Sequence, residues 1–116
     1  MKSVFADSFY FFALVNDRDP AHQRALAFLQ SYKGRLVTTG WILTELGDGL
    51  ASPANRTSFL TTLNILKTEP NVTVVGCSDQ LLDAGIDLYR ERPDKSWSLT
   101  DCISFIVMKS EGIVDA

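Results

Sequence analysis

The chain has 116 residues, a formal net charge of −3, and 46% hydrophobic against 22% charged residues. This length fits one domain that buries about two-thirds of its unfolded surface, and the composition is that of a globular protein. The negative charge argues against a protein that coats nucleic acid through bulk positive charge. No apolar run is long enough to span a bilayer and no secretory signal opens the chain. We therefore expect a single soluble, cytoplasmic domain over residues 1–116, with no membrane partner.

The cysteines give no sign of a metal site. Cys77 and Cys102 form no C-x-x-C motif, and His22 is the single histidine. These residues do not make up the usual ligand set of a zinc site. Cys102 falls within an apolar helical pattern, so we expect it to be buried in a protein of a reducing compartment. We assign no chemistry to His22.

The first landmark is the apolar run over residues 4–15, in which Asp7 is the single charged residue. We predict a short strand over 3–6 and a helix over 8–15, with Asp7 at their junction, where open α/β sheets bind ligands. An unpaired charge among these apolar side chains would be costly, so the carboxylate requires a partner or a cation. The alternative is that Asp7 only caps the helix by accepting its first free N–H groups.

The second landmark is Glu45, in the helix predicted to follow a strand over 35–39. Trp41, Glu45 and Asp48 share one face of that helix at spacings of four and three, away from its apolar face. Glu45 is therefore expected one turn beyond the carboxyl end of a strand. The alternative is that it belongs to an ordinary solvated helix face.

The third landmark is the segment 96–108, in which Ser98 and Asp101 have the spacing of a capping box. Such a box is a purely structural explanation for Asp101. The helix that follows is apolar nearly all round, however, so its first turn should point one carboxylate into or beside the core.

The remaining segments continue an alternation of helices and strands. Asp19 and Pro20 predict the N-cap and first position of a second helix, which ends at Lys33 and Gly34. Further helices are predicted over 55–67 and from the cap Ser78 to about 92, and further strands over 72–75 and from 113. Alternation without a hairpin signal or a repeat predicts an α/β fold, with a parallel sheet and crossover helices.

In a parallel sheet, the places of Asp7, Glu45 and Asp101 converge at one edge. Two carboxylates about 4 Å apart repel by roughly 4 kcal/mol at an effective dielectric of about 20, so three together require a bound cation or raised pKa values. All three candidate ligands offer hard oxygen atoms, which favours Mg²⁺ or Mn²⁺. A water on such an ion can attack a phosphodiester without a nucleophilic side chain, which predicts metal-assisted nuclease chemistry.

Four motifs carry a resemblance to a known family: V-F-A-D-S-F near the start, D-P-A-H at 19–22, T-T-G-W-I-L-T-E-L at 38–46 and W-S-L-T-D-C-I-S-F at 97–105. Together they resemble the PIN domains, and most of all the VapC-like ribonuclease toxins of bacterial and archaeal toxin–antitoxin pairs. The match runs over essentially the whole chain. It implies a three-layer α/β/α PIN-like fold with a central, mostly parallel sheet of four or five short strands.

The resemblance also implies an activity and its partners. The expected protein is a Mg²⁺- or Mn²⁺-dependent endoribonuclease that hydrolyses RNA, forms a homodimer and is silenced by a cognate antitoxin. The family's acidic residues correspond to Asp7, Glu45 and Asp101 as metal ligands and catalytic residues. Ser8 and Thr100 are the hydroxyl neighbours that support the first and third of these acids.

In one respect the sequence departs from the family pattern. The pattern has another acidic residue shortly after the last strand, in a segment like T-x-D-x-H-F, and this sequence ends at Asp115-Ala116 before that segment. Asp115 lies at the wrong place to substitute for it. We therefore expect either a truncated form or a metal site short of one ligand, which puts the activity of this chain in question.

Three functions remain open from the sequence. The first is RNA hydrolysis at the three acids, with Arg18, Arg92 and Lys95 as candidate phosphate contacts. The second is a PIN-like binding module that keeps its partner interface but has lost metal affinity. The third, phosphotransfer through an aspartyl phosphate, is disfavoured because residues 7–9 lack the second aspartate of a D-x-D pair.

Overall fold

The structure of the chain is a computed structural model that describes residues 2–116. Each described strand is followed by two helices, which agrees with the predicted α/β order. In chain order the elements are β1 (Ser3–Phe5), α1 (Ser8–Val15), α2 (His22–Ser31), β2 (Arg35–Thr39), α3 (Gly40–Gly49), α4 (Arg56–Thr68), β3 (Val72–Val75), α5 (Asp79–Glu91) and α6 (Leu99–Glu111). None of the described helices is both long and apolar enough to cross a membrane.

The described strands form one parallel sheet in the order β1-β2-β3. Valine and threonine are frequent in β2 and β3, since β-branched side chains suit the pleated surface of a strand. Ser3 pairs with Arg35, and Leu36 pairs with Val72. The predicted parallel α/β architecture is confirmed, but the sheet described over residues 2–116 has three strands instead of the four or five expected.

The predicted strand from residue 113 does not form. Ile113 is buried, and the Phe5 amide donates a hydrogen bond of 2.9 Å to the Asp115 carbonyl. The Lys2 ammonium and the Asp115 carboxylate lie 2.6 Å apart. These contacts hold the segment beside β1, but a strand ladder requires repeated backbone pairing. The segment therefore follows β1 as an irregular chain.

Helices cover both faces of the sheet. The connections from β1 to β2 and from β2 to β3 cross the sheet in the same direction, so their preferred right-handedness puts α1 to α4 on one face. The helix contacts agree, since α1 packs against α2, α3 and α4, whereas α5 packs against α6. After β3 the chain returns over the other face through α5 and α6 to reach β1. The result is the predicted three-layer α/β/α arrangement.

The second helix begins later than predicted. The Asp19 carboxylate accepts a hydrogen bond of 2.8 Å from the Ala21 amide, and its carbonyl accepts one of 2.9 Å from the His22 amide. These bonds close a turn that includes Pro20, so α2 begins at His22. His22 Nδ1 lies 2.9 Å from the Ala13 carbonyl oxygen, a contact that joins α2 to α1.

The core is formed by apolar side chains from the sheet and from helices of both layers. The largest fully buried apolar side chains are Phe5, Phe11, Leu46 and Ile103. Two glycines allow the helices to approach closely, because a Cβ atom on Gly85 would overlap Ile103, and one on Gly49 would overlap Phe12. α5 therefore packs tightly on α6, and α3 on α1.

Ser104 on α6 is a buried polar residue whose hydroxyl has no hydrogen-bond partner among the described residues. Alanine would remove this desolvated hydroxyl and add helix propensity, so we expect Ser104→Ala to raise the free energy of unfolding by about 1 kcal/mol. Urea denaturation measures the change. Ser110→Ala, at an exposed position of the same helix, is the control and should gain at most about 0.5 kcal/mol. A loss of stability in Ser104→Ala would show that the hydroxyl is satisfied.

Candidate active site

Asp7 lies where the first strand meets the first helix. The Ala6 amide donates to the Val37 carbonyl at 2.8 Å, and the Thr38 hydroxyl donates to the Ala6 carbonyl at 2.9 Å, so the backbone before Asp7 is fixed to β2. The Asp7 side chain caps α1, because its Oδ1 accepts a hydrogen bond of 3.1 Å from the Tyr10 amide. Asp7 is therefore confirmed as the cap of α1, and its role as a metal ligand stays a prediction.

The Asp7 carboxylate is exposed, which corrects the prediction of a charge close to the core. Its neighbours Phe5 and Ala6 are buried, at 2% and 3% exposure. An N-cap side chain turns back over the start of its helix, however, and this start lies at the open edge of the sheet. The cost of burying a charge therefore gives no argument for a cation at Asp7. The second oxygen of Asp7, Oδ2, accepts no hydrogen bond from the described residues.

Glu45 lies on α3, which begins directly after β2. Thr39, the last residue of β2, caps this helix by accepting a hydrogen bond of 3.2 Å from the Ile42 amide. Leu46, beside Glu45, is fully buried, and α3 packs against α1. The Glu45 side chain is half-buried and has no hydrogen-bond partner among residues 2–116. The alternative prediction, that Glu45 belongs to an ordinary solvated helix face, is therefore only partly correct.

Asp101 completes the predicted capping box at the start of α6. The Asp101 amide donates to Ser98 Oγ at 3.0 Å, and the Ser98 amide donates to Asp101 Oδ2 at 3.0 Å. The carboxylate is exposed and does not point into the core, because the box turns it toward the preceding loop. The next residue, Cys102, is fully buried as predicted. Burial and, to a smaller extent, the charge of Asp101 raise the pKa of the Cys102 thiol.

The three acids offer suitable donor atoms for a hard cation. Each of Asp7, Glu45 and Asp101 has at least one carboxylate oxygen that accepts no hydrogen bond from a described residue, and Mg²⁺ prefers such oxygens. Their helices are held differently, since α1 packs on α3 whereas α6 packs mainly on α5. Across residues 2–116, no three His, Cys, Asp or Glu side chains form a group that could hold a metal ion. The donor chemistry fits Mg²⁺, and the three-ligand centre stays a prediction.

Asp7 borders a groove of about 420 Å³ beside β1 and α1. The lining is largely apolar and includes Phe9 and Tyr10, with Arg24 as its cation. Burial raises the pKa of the Tyr10 phenol, whose hydroxyl donates to the Ala25 carbonyl at 3.3 Å. Sequence reasoning missed Arg24 because this residue lies on the polar face of an unremarkable helix. Only the packing of α2 on α1 brings it to the groove.

Two of the three cations predicted as phosphate contacts lie together. The Arg92 guanidinium and the Lys95 ammonium are 5.4 and 5.7 Å from the centre of the Trp97 ring, between α5 and α6. Arg18 is exposed in the turn between α1 and α2. The hydroxyl residues implied by the family resemblance are half-buried next to two of the acids, and they are Ser8 and Thr100.

The similarity of this chain to known proteins lies in its fold. No protein-family model and no curated protein matches this sequence. Among solved structures, the chain is similar to the crystal structure of VapC20 from Mycobacterium tuberculosis, described as a sarcin-ricin loop cleaving toxin. The TM-score is 0.84 at 23% sequence identity, over 95% of this chain and 84% of VapC20. This chain therefore has the PIN-like fold of a VapC toxin, as its resemblance to that family predicts.

Proposed function

We propose that the chain is a metal-dependent endoribonuclease that acts as the toxin of a type II toxin–antitoxin pair. One observation carries the proposal, namely the fold shared with VapC20, a toxin described as cleaving the sarcin-ricin loop. The motifs around Asp7, Glu45 and Asp101 support the same function, because they put a carboxylate at the N-cap of α1, in the second turn of α3 and in the first turn of α6. The substrate class is RNA.

The three acids are the proposed ligands of one Mg²⁺ or Mn²⁺ ion. When bound, the ion would supply an activated water and neutralise charge on the leaving oxygen. The contribution of the chain itself is to place the carboxylates. Backbone amides of Tyr10 and Ser98 orient Asp7 and Asp101, and the buried Leu46 fixes the helix of Glu45.

Electrostatics give the cation a second role in this proposal. The net charge of −3 opposes the approach of an RNA backbone, and exposed carboxylates oppose it most strongly nearby. With three carboxylate ligands, a bound divalent ion would offset most of this negative charge, so the repulsion of the phosphodiester at the site would be smaller. Arg24, in the groove that Asp7 borders, is the proposed phosphate contact on that side.

The test is an RNA cleavage assay with the purified chain in Mg²⁺, in Mn²⁺ and in excess chelator. We expect cleavage with either ion and none with chelator. Glu45→Gln removes a charge without removing a helix cap, so it should lower the cleavage rate by about tenfold or more. Asp48→Asn, at an exposed acid one turn further along α3, is the matched control and should cleave as the parent does. Cleavage that persists in chelator would contradict the metal requirement.

A second candidate is a PIN-like binding module that engages a partner without cutting RNA. It is favoured by the structural tasks of Asp7 and Asp101, since each caps a helix and neither requires a metal to explain its position. In both candidates the proposed protein partners are a cognate antitoxin and a second copy of the chain. Titration with Mn²⁺ separates them, because the nuclease should bind the ion and Asp7→Asn should weaken that binding.

A further inference from the structure

A groove of about 510 Å³ lies where the end of α5 faces the start of α6, and we name it the α5–α6 groove. Tight packing at Gly85 and Ile103 holds the two helices together, and the loop after α5 closes one end. Aromatic and basic side chains dominate its lining, among them Tyr89, Arg90, Arg92, Lys95 and Trp97. The metal proposal makes no use of this groove.

Trp97 fixes the positions of the aromatic and cationic groups in the groove. The edge of its ring meets the ring of Phe105 in a T-shaped pair, with centroids 4.9 Å apart and planes at 71°. Such a pair holds the indole against α6. Arg92 and Lys95 lie over the indole within the range of cation–π attraction. Two positive groups are thereby gathered at one place on a chain of negative net charge.

The cations of the groove differ in how their charge is compensated. Arg92 makes two hydrogen bonds of 3.1 Å to the Asp94 carboxylate, which hold the pKa of Asp94 below its usual value. Arg90 is paired with Asp87 at 3.1 Å. Lys95 has no carboxylate within ion-pair distance among residues 2–116. Lys95 is therefore the cation of the groove that is available to an anionic ligand.

Tyr89 supplies an open aromatic surface in the same groove. It is 54% exposed, unusually for a large aromatic residue on a packed helix. A cation without a carboxylate partner and an exposed ring in one groove match the two parts of a nucleotide, because phosphate binds the cation and any base can stack on the ring. An acidic peptide would use Lys95 but would gain nothing from the ring.

We infer that the α5–α6 groove binds a nucleotide of single-stranded RNA, with its base stacked on Tyr89 and a phosphate at Lys95. The inference rests on the proposed function and names a substrate-binding surface for it. Trp97 directly precedes the capping box of Ser98 and Asp101. An RNA strand held in the groove would therefore pass close to the third proposed metal ligand.

The test measures binding of a fluorescein-labelled single-stranded RNA of eight nucleotides to the full chain by anisotropy, in chelator so that nothing is cut. Lys95→Glu should weaken binding by about tenfold and reduce the salt dependence of the logarithm of affinity by about one unit. Lys67→Glu makes the same charge change on α4, which packs against α1, α3 and β3, and should weaken binding less than threefold.

Tyr89→Ala should weaken binding by about fivefold or more, whereas Tyr89→Phe keeps the ring and should bind as the parent does.

Several outcomes of these binding and cleavage assays would contradict the groove inference or the nuclease proposal. Equal weakening by Lys95→Glu and Lys67→Glu, or an absence of RNA binding, would overturn the inference, as would displacement of RNA by polyglutamate at equal charge concentration. Thermal unfolding checks that the variants fold, and Lys95→Gln repeats the charge test if the glutamate variant does not. If RNA binding depends on Lys95 and Tyr89 but the chain does not cleave RNA in Mg²⁺, the nuclease proposal is contradicted and the groove inference is not. If the chain cleaves RNA and none of these variants changes RNA binding, the groove inference is contradicted and the nuclease proposal is not.

Discussion

Replacing Asp7 with asparagine is expected to lower metal-dependent RNA cleavage by about a hundredfold or more. The free energy of unfolding should stay within about 0.5 kcal/mol of the parent, because asparagine and aspartate are comparable N-caps. The amide oxygen can still accept the hydrogen bond from the Tyr10 amide. It carries no charge, however, and so binds a divalent ion far less well.

Asp7→Ala separates the two tasks of the side chain. It removes the cap as well as the charge, so it should cost about 1 kcal/mol of stability in addition to the loss of cleavage. Urea denaturation followed by circular dichroism gives the stability, and a time course of RNA cleavage in Mg²⁺ gives the rate. If Asp7→Asn cleaves RNA as fast as the parent, Asp7 is a cap and nothing more.

Phe11→Ala is expected to lower the free energy of unfolding by about 3–5 kcal/mol, the usual cost of deleting a buried phenyl ring. The Phe11 side chain is 0% exposed, and its ring meets the Tyr10 ring edge-on at a centroid distance of 5.4 Å. Both the apolar transfer energy and the contacts around the cavity would be lost. A change of this size takes up a large part of the stability of a small domain.

The control for this prediction lies two residues away on the same helix. Phe9 is 69% exposed, so Phe9→Ala should change the free energy of unfolding by no more than about 0.5 kcal/mol. Both variants lose the same ring from α1, and only burial differs. Urea unfolding curves with unchanged slopes would compare them directly. Equal losses of stability in the two variants would contradict the burial of Phe11 in the core.

Local patterns predicted most of the fold. β-branched residues bounded by Gly34 and Gly76 predicted two strands with their observed limits, and Ser78 predicted the start of α5. Patterns failed where tertiary packing decided the outcome. Asp19 has the chemistry of an N-cap but closes a turn, and α2 begins after that turn at His22. Ile113 has the chemistry of a strand but packs its side chain inward beside β1 without a ladder.

The places of the candidate residues in the fold were predictable from the sequence, whereas their exposure was not. The capping box of Ser98 and Asp101 follows from sequence spacing alone, and so does the position of Asp7 between strand and helix. Exposure does not follow from spacing, because an N-cap side chain lies at the rim of the core however apolar its neighbours are. The α5–α6 groove had only a weak signal, a charged stretch before Trp97. Its aromatic partner Tyr89 comes from the preceding helix and meets it only in the folded chain.

The sheet order has a consequence for how quickly the chain folds. Ser3 pairs with Arg35 and Leu36 with Val72, so every described strand pair joins residues more than thirty positions apart. Neither pair can form by a local hairpin, and each has to close a long loop before any sheet contact stabilises it. Helices can form early, but the sheet is the last part to gain stability. Refolding should therefore be slower than that of an all-helical bundle of equal length.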